Sequence, residues 1–261
     1  MQISTGAARS WPVEVIAHRG ASALAPENTP AAVSLAWELG ADAVEIDVQL
    51  SSDGQAVVIH DSTLERTAGL PDAVNSLTGA ELAEVDVGSW FGQHWADERI
   101  VNLETVIATV PPRRRLFAEL KCRTSAGVDS VIDALTSPLE AVAHSPEKVV
   151  LIGFDLDLMT RVKAEFPQHE VCLVAEQKSP EPTLWLPSIE EIVAAAVSAR
   201  LDGVSLANTP AVGRPAVDCI HEAGLNCCIW TVSLVEDARR FIDAGVDSLT
   251  MDDPRLLEAA D

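Results

Sequence analysis

The chain alternates between two rhythms of apolar and polar positions. Short β-branched runs read as strands at Val13–Ala17, Ala43–Val48, Leu116–Leu120, Val149–Ile152, Val171–Val174, Gly203–Leu206, Cys227–Thr231 and Ser248–Met251. Between them apolar residues recur at helical spacing, which predicts amphipathic helices over Ala31–Leu39, Val128–Ala143, Asp157–Glu165, Ile189–Ala199, Ala216–Ala223 and Val235–Ala244. Thr29 is a good N-cap and Pro30 a good first helical residue, so that pair opens the first helix. Strands that alternate with helices form parallel sheets covered on both faces. Eight such units within 261 residues favour an α/β fold of the closed (β/α)8 TIM-barrel type, with the chain 1–261 as a single domain.

One interval breaks the rhythm. The stretch from Ser62 to Arg99 is too long for one helix and two loops, and it carries Gly69, Pro71, Gly79, Gly88 and Gly92. It reads as an insertion, about 62–100, on the loop after the second strand. Trp90, Phe91 and Trp95 fall inside it, and large aromatics of this kind serve chiefly to bury area and anchor such a segment.

Ionisable residues collect where the early strands end. The first strand runs into His18-Arg19-Gly20, the second carries Glu45-Ile46-Asp47, and the next apolar run, Val57-Val58-Ile59, delivers His60-Asp61. The third strand closes with Glu119-Leu120-Lys121. Side chains alternate faces along a strand, so Glu45 and Asp47 share one face, as do Glu119 and Lys121. In a barrel that face points inward, at the rim where active sites form. Each motif alone is ordinary: a solvated acid pair, a turn, a surface ion pair. Three carboxylates meeting inside a barrel are different, because burying them without a cation is very costly. A divalent ion is their natural partner, and all-oxygen ligation favours Mg²⁺ or Ca²⁺ over Zn²⁺.

Composition narrows the partners. Acidic residues number 40 against 18 basic ones, a formal charge of −22. That excess repels nucleic-acid backbones and anionic membranes, so neither is an expected partner. A small anionic substrate stays possible where the fold supplies local cations. The five cysteines form no CxxC pair and most lie in apolar runs, as free core thiols of a reducing compartment would. Met1–Pro12 lacks an apolar core of signal-peptide length, and no stretch approaches a membrane span. The expectation is a soluble, cytoplasmic protein without stable membrane association.

Taken in order, His18-Arg19-Gly20, Pro26-Glu27-Asn28-Thr29, Glu45-Ile46-Asp47, His60-Asp61, Gly88-Ser89-Trp90-Phe91, Glu119-Leu120-Lys121, Trp230-Thr231-Val232 and Asp252-Asp253-Pro254 resemble the motifs of the glycerophosphodiester phosphodiesterases. The resemblance runs from about Val15 to Pro254. It implies a metal-dependent TIM-barrel enzyme that cleaves a small-molecule glycerophosphodiester to glycerol 3-phosphate and an alcohol. By position, Glu45, Asp47 and Glu119 resemble the metal ligands, and His18 and His60 the general acid–base pair. Arg19 and Lys121 are implied to hold the phosphoryl oxygens, and Trp230 to wall the glycerol side. The chemistry is consistent, since histidine exchanges protons near neutrality and Arg and Lys admit an anion into an acidic protein. Glu27 and Asn28 are read as orienting the His18–Arg19 turn or touching substrate.

Two departures from the family pattern, Gly153 and Met251, are expected to alter the alcohol pocket, and Glu176 is a further candidate ligand. His94, His144, His169 and His221 fall in helix or loop settings and are given no catalytic part. A lysophospholipase D acting on lysolipids is the alternative enzyme reading; it would need an exposed apolar groove for the acyl chain. A non-catalytic binding barrel would show itself by a missing ligand or histidine, and all are present.

Overall fold

The computed structural model describes residues 12–121, 127–178 and 187–257. Cys122 and most of the Met1–Pro12 segment lie outside the described residues. Among the described residues nine strands form one sheet: β1 (Glu14–His18), β2 (Ala43–Leu50), β3 (Ala56–Val58), β4 (Arg115–Leu120), β5 (Val149–Gly153), β6 (Glu170–Ala175), β7 (Gly203–Ala207), β8 (Asn226–Trp230) and β9 (Ser248–Met251). All but β3 are parallel, each paired with its neighbours around a ring that β1 closes by pairing with both β2 and β9. The structure is therefore a closed (β/α)8 barrel. The helices are α1 (Pro30–Glu38), α2 (Glu65–Ala68), α3 (Gly79–Leu82), α4 (Leu103–Thr109), α5 (Val128–Glu140), α6 (Leu156–Glu165), α7 (Ile189–Ser198), α8 (Arg214–Glu222) and α9 (Val235–Ala244).

Alternation along the strands divides the core into two shells. Outward residues such as Val44, Ile46, Leu116, Leu151, Val204 and Leu249 pack beneath the helices in the larger cluster. Inward residues such as Ile16, Phe117, Val150, Ile152, Cys172 and Cys228 fill the barrel interior. The floor is polar: Arg115 donates two hydrogen bonds to Glu14, at 2.8 and 2.6 Å, and a third to Glu170 at 2.6 Å. Among the described cysteines all are free; Cys172, Cys227 and Cys228 are buried, and burial pushes their thiols up. No helix among the described residues is long and apolar enough to cross a membrane.

The chain leaves the strand–helix rhythm right after β2. The β3 strand folds back antiparallel on β2, with Val48 opposite Val58 and Leu50 opposite Ala56. From there to α4 the chain builds its own small core of Val57, Ile59, Leu64, Val74, Leu82, Val85, Val87 and Ile100. Thr78 caps α3 in a reciprocal box with Glu81. Trp90 is more exposed than an anchor would be, at 43%. Its indole N–H donates to the Val87 carbonyl, its ring meets Phe91 edge-on, and Arg66 lies over it.

Candidate active site

The turn leaving β1 is shaped by two left-handed residues, Arg19 (φ 55°) and Gly20 (φ 81°). Gly20 is required twice over, because a Cβ there would lie 2.6 Å from the Ala32 backbone. The strained Arg19 conformation is held by Glu45, whose Oε2 accepts the Arg19 N–H at 2.9 Å. Asn28, also left-handed at φ 59°, reaches across to β2. Its amide donates to Asp47 Oδ2 at 2.8 Å and its Oδ1 accepts the Asp47 N–H at 3.0 Å. The structure thus gives Asn28 a bracing contact to Asp47, and gives Glu27 a hydrogen bond from Arg19 at 3.0 Å.

Inside the rim, Glu45, Asp47 and Glu119 bring carboxylate oxygens within 4.8 Å of one another. The register explains it: Asp47 pairs with Glu119 across β2 and β4, and Glu45 stands two residues back on the same face. Lys121 extends over the group, 2.9 Å from Asp47 Oδ1 and 2.6 Å from Glu119 Oε1. Arg19 Nε lies 3.2 Å from Asp47 Oδ2. Glu45 Oε1 is buried with no hydrogen-bond partner among the described residues.

The electrostatics follow. Burial, then the neighbouring Asp47, pushes the Glu45 carboxyl up to about 8. Glu119 is also raised, by burial chiefly. Burial works against the Asp47 charge as well, yet Lys121 and Arg19 outweigh it and hold Asp47 below the usual carboxylate range. Lys121 is pulled down by burial and raised further by Asp47 and Glu119, so it stays charged. Three hard oxygen donors, one of them orphaned, fit a divalent cation, and the cluster is compatible with Mg²⁺ or Ca²⁺ alike.

Each candidate histidine is clamped by its own carboxylate. His18 Nδ1 lies 2.6 Å from Asp252 Oδ1, and His60 Nδ1 lies 2.7 Å from Asp61 Oδ1. Hydrogen bonds to His18 and burial compete at Asp252 and leave its pKa lowered, so it is an acceptor and His18 Nδ1–H donates. Asp61, which burial raises and Arg66 and His60 lower further, accepts in the same way. Both imidazoles are thereby left with Nε2 for proton exchange. His18 Nε2 stands 4.0 Å from Glu45 Oε2. His60 lies near enough to Asp47 and Glu119 to favour the charge on both, although burial still leaves Glu119 raised. Burial pulls the His18 pKa down, but Asp252 and Glu45 raise it above the ordinary value.

Trp230 ends β8 with its indole N–H on the Ser205 carbonyl at 3.1 Å and its ring edge-on to the exposed Phe154, centroids 5.7 Å apart.

The chain matches the model of the glycerophosphoryl diester phosphodiesterase family over residues 18–256. It belongs to that family. A glycerophosphodiester phosphodiesterase of Caldanaerobacter subterraneus is 33% identical over 246 residues, covering 93% of this chain and 95% of the relative. Among solved structures, an Oleispira antarctica phosphodiesterase in complex with the product sn-glycerol-3-phosphate superposes with a TM-score of 0.81 at 28% identity, covering 95% of this chain and 96% of the other. The glycerophosphodiester phosphodiesterase of Thermotoga maritima gives 0.74 at 27%, covering 95% and 98%.

Family departures land elsewhere than the sequence suggests. Met251 is fully buried in the shell beneath the helices, and a Cβ on Gly153 would meet Met159 Sδ of α6 at 2.8 Å. Both therefore face the outer shell and not an alcohol pocket. Glu176 is exposed and outside the carboxylate group. His169 is buried against the Val149 carbonyl and His221 pairs with Asp247 at the opposite end of the barrel. Sequence reasoning gave no role to Asp252, Asp61 or Arg66. Asp61 follows its histidine directly. Asp252 could have been found from barrel closure, since β9 lies beside β1 with Met251 opposite Ala17.

Proposed function

We propose that this chain hydrolyses glycerophosphodiesters to glycerol 3-phosphate and an alcohol, with Glu45, Asp47 and Glu119 holding a divalent cation. The observation that carries the reading is the pair of carboxylate-clamped imidazoles beside that acid cluster, one next to Glu45 and the other near Asp47 and Glu119. When bound, the cation supplies positive charge that polarises the phosphoryl group and lowers the pKa of a neighbouring substrate hydroxyl. Arg19 and Lys121 hold the phosphoryl oxygens through charge-assisted hydrogen bonds. Trp230 and Phe154 wall the glycerol side. One histidine, unprotonated at Nε2, takes the proton of the free glycerol hydroxyl as that oxygen attacks phosphorus. The other gives its Nε2 proton to the departing alcohol. The roles reverse when water opens the cyclic phosphate, so both protons are returned. The acidic composition and the free thiols among the described residues support a cytoplasmic enzyme, and the family membership supports glycerophosphodiesters, the deacylated phospholipids, as its substrates.

Product analysis with glycerophosphocholine, a deoxy analogue and a lysolipid, with and without chelator, tests the reading. Glycerol 3-phosphate should appear from the first substrate alone, and only with divalent cation present. Efficient cleavage of the deoxy analogue would rule out the cyclic route. A preference for the lysolipid would assign the lysophospholipase D activity instead. Full turnover in excess chelator would remove the cation from the reaction.

A further inference from the structure

We propose that Arg66, on α2, is a positioning residue that sets both His60 and Arg19 in place. Its guanidinium uses three nitrogens on two carboxylates. Nη1 and Nη2 donate to Glu27 Oε2 and Oε1 at 2.9 and 2.7 Å, and Nε donates to Asp61 Oδ2 at 2.6 Å. Each carboxylate passes the constraint on. Glu27 Oε1 also accepts from Arg19 Nη1 at 3.0 Å, and Asp61 Oδ1 meets His60 Nδ1 at 2.7 Å. Charges therefore alternate from Arg19 through Glu27 and Arg66 to Asp61, and the unbroken line of contacts ends on the His60 ring.

The geometry needs arginine. A planar fork grips Glu27 with two parallel bonds while its third edge faces Asp61; an ammonium is a single point charge and cannot span both. Asp61 without Arg66 would keep one oxygen on His60 and be free to turn about its own side chain. Glu27 without Arg66 would lose the two bonds that fix its carboxylate and keep only its one bond to Arg19. The guanidinium is itself backed by Trp90, whose ring centroid lies 5.8 Å from its central carbon. None of the three metal-cluster carboxylates touches Arg66 among the contacts described, so the effect falls on proton transfer and phosphate capture and spares cation binding.

The inference rests on the roles proposed for His60 and Arg19, and its test separates the two. Arg66→Ala and Arg66→Lys are compared with Glu27→Gln, Asp61→Asn and the corresponding doubles. The readouts are kcat and KM on glycerophosphocholine, cation affinity by titration, and thermal melting. Arg66→Ala should lower kcat/KM by about 10- to 100-fold, the loss of charged hydrogen bonds, with cation affinity unchanged. Millimolar guanidinium should restore part of that loss, and Arg66→Lys should not reach the parent rate. The Arg66→Ala/Asp61→Asn and Arg66→Ala/Glu27→Gln doubles should lose less than the product of the singles. Should the alanine variant fail to fold, the lysine variant carries the same comparison. Parent kinetics in Arg66→Ala, or losses that multiply independently and ignore guanidinium, would overturn the proposal. If His60→Ala and Arg19→Ala themselves kept parent rates, the functional reading would fail first.

Discussion

At the scale of single residues, the site is set by which oxygen each histidine leans on. Burial lowers the His18 pKa, and Asp252 with Glu45 more than reverses it. Replacing Asp252 by Asn removes the strongest raising partner, so burial gains and the His18 pKa falls. Whichever role His18 takes, the limb of the kcat/KM profile that belongs to it should move to lower pH in Asp252→Asn, and a profile that keeps its position would exclude the clamp. How legible these residues are depends on how local their partners are. The carboxylates could be read directly, because Glu45-Ile46-Asp47 and Glu119-Leu120-Lys121 place their charges on one face by simple alternation. Asp252 needed the closure of the ring, which joins residues at opposite ends of the chain. Arg66 had no sequence signal, since Glu27 and Asp61 come to it through a fold of short segments with no period.

At the scale of elements, the same contrast appears between the barrel and the β2–β4 excursion. Each barrel strand has helices to cover it and announces itself by a β-branched run; Ser248–Met251 and Val235–Ala244 match their predicted bounds, and the others differ by one to three residues at an end. The β3 strand and the one-turn helices α2 and α3 are too short to be stable alone and form only against one another. Leu64 is the keystone of that packing: it precedes α2, is fully buried, and its N–H bonds to the Asp72 carbonyl at 3.0 Å. Leu64→Ala should cost about 2–5 kcal/mol, the usual range for a buried leucine. That cost should appear as local opening. Hydrogen exchange should accelerate across residues 59–102 while the β4–β9 amides keep their protection, and kcat/KM should fall because α2 carries Arg66. Uniform loss of protection over the whole chain would show that the excursion has no separate core.

At the scale of the whole molecule, the barrel holds a concentrated acid group inside a chain of charge −22, and pH and cation should trade places in its stability. The depressed carboxylates, Asp47, Glu27, Asp61 and Asp252, add stability that is complete above about pH 5 and lost as pH falls below it. Glu45 acts in the opposite sense. Its folded pKa, pushed up chiefly by burial to about 8, stands above the unfolded value. The native chain thus keeps a proton that the unfolded chain has released, and stability falls as pH rises from about 4.5 through 8. His18, also raised, adds to the decline above its ordinary value. In chelator the melting temperature should therefore drop between about pH 5 and pH 8. A divalent cation competes with that proton, so the gain in melting temperature on adding Mg²⁺ or Ca²⁺ should grow with pH. Glu45→Gln separates this from general screening of an acidic surface, which the substitution leaves nearly intact. The variant should show a flatter decline in chelator and lose most of the pH-dependent gain, while any screening benefit of salt remains. Parallel curves for parent and variant, with and without cation, would mean that the buried carboxylates neither hold the proton nor trade it for a metal.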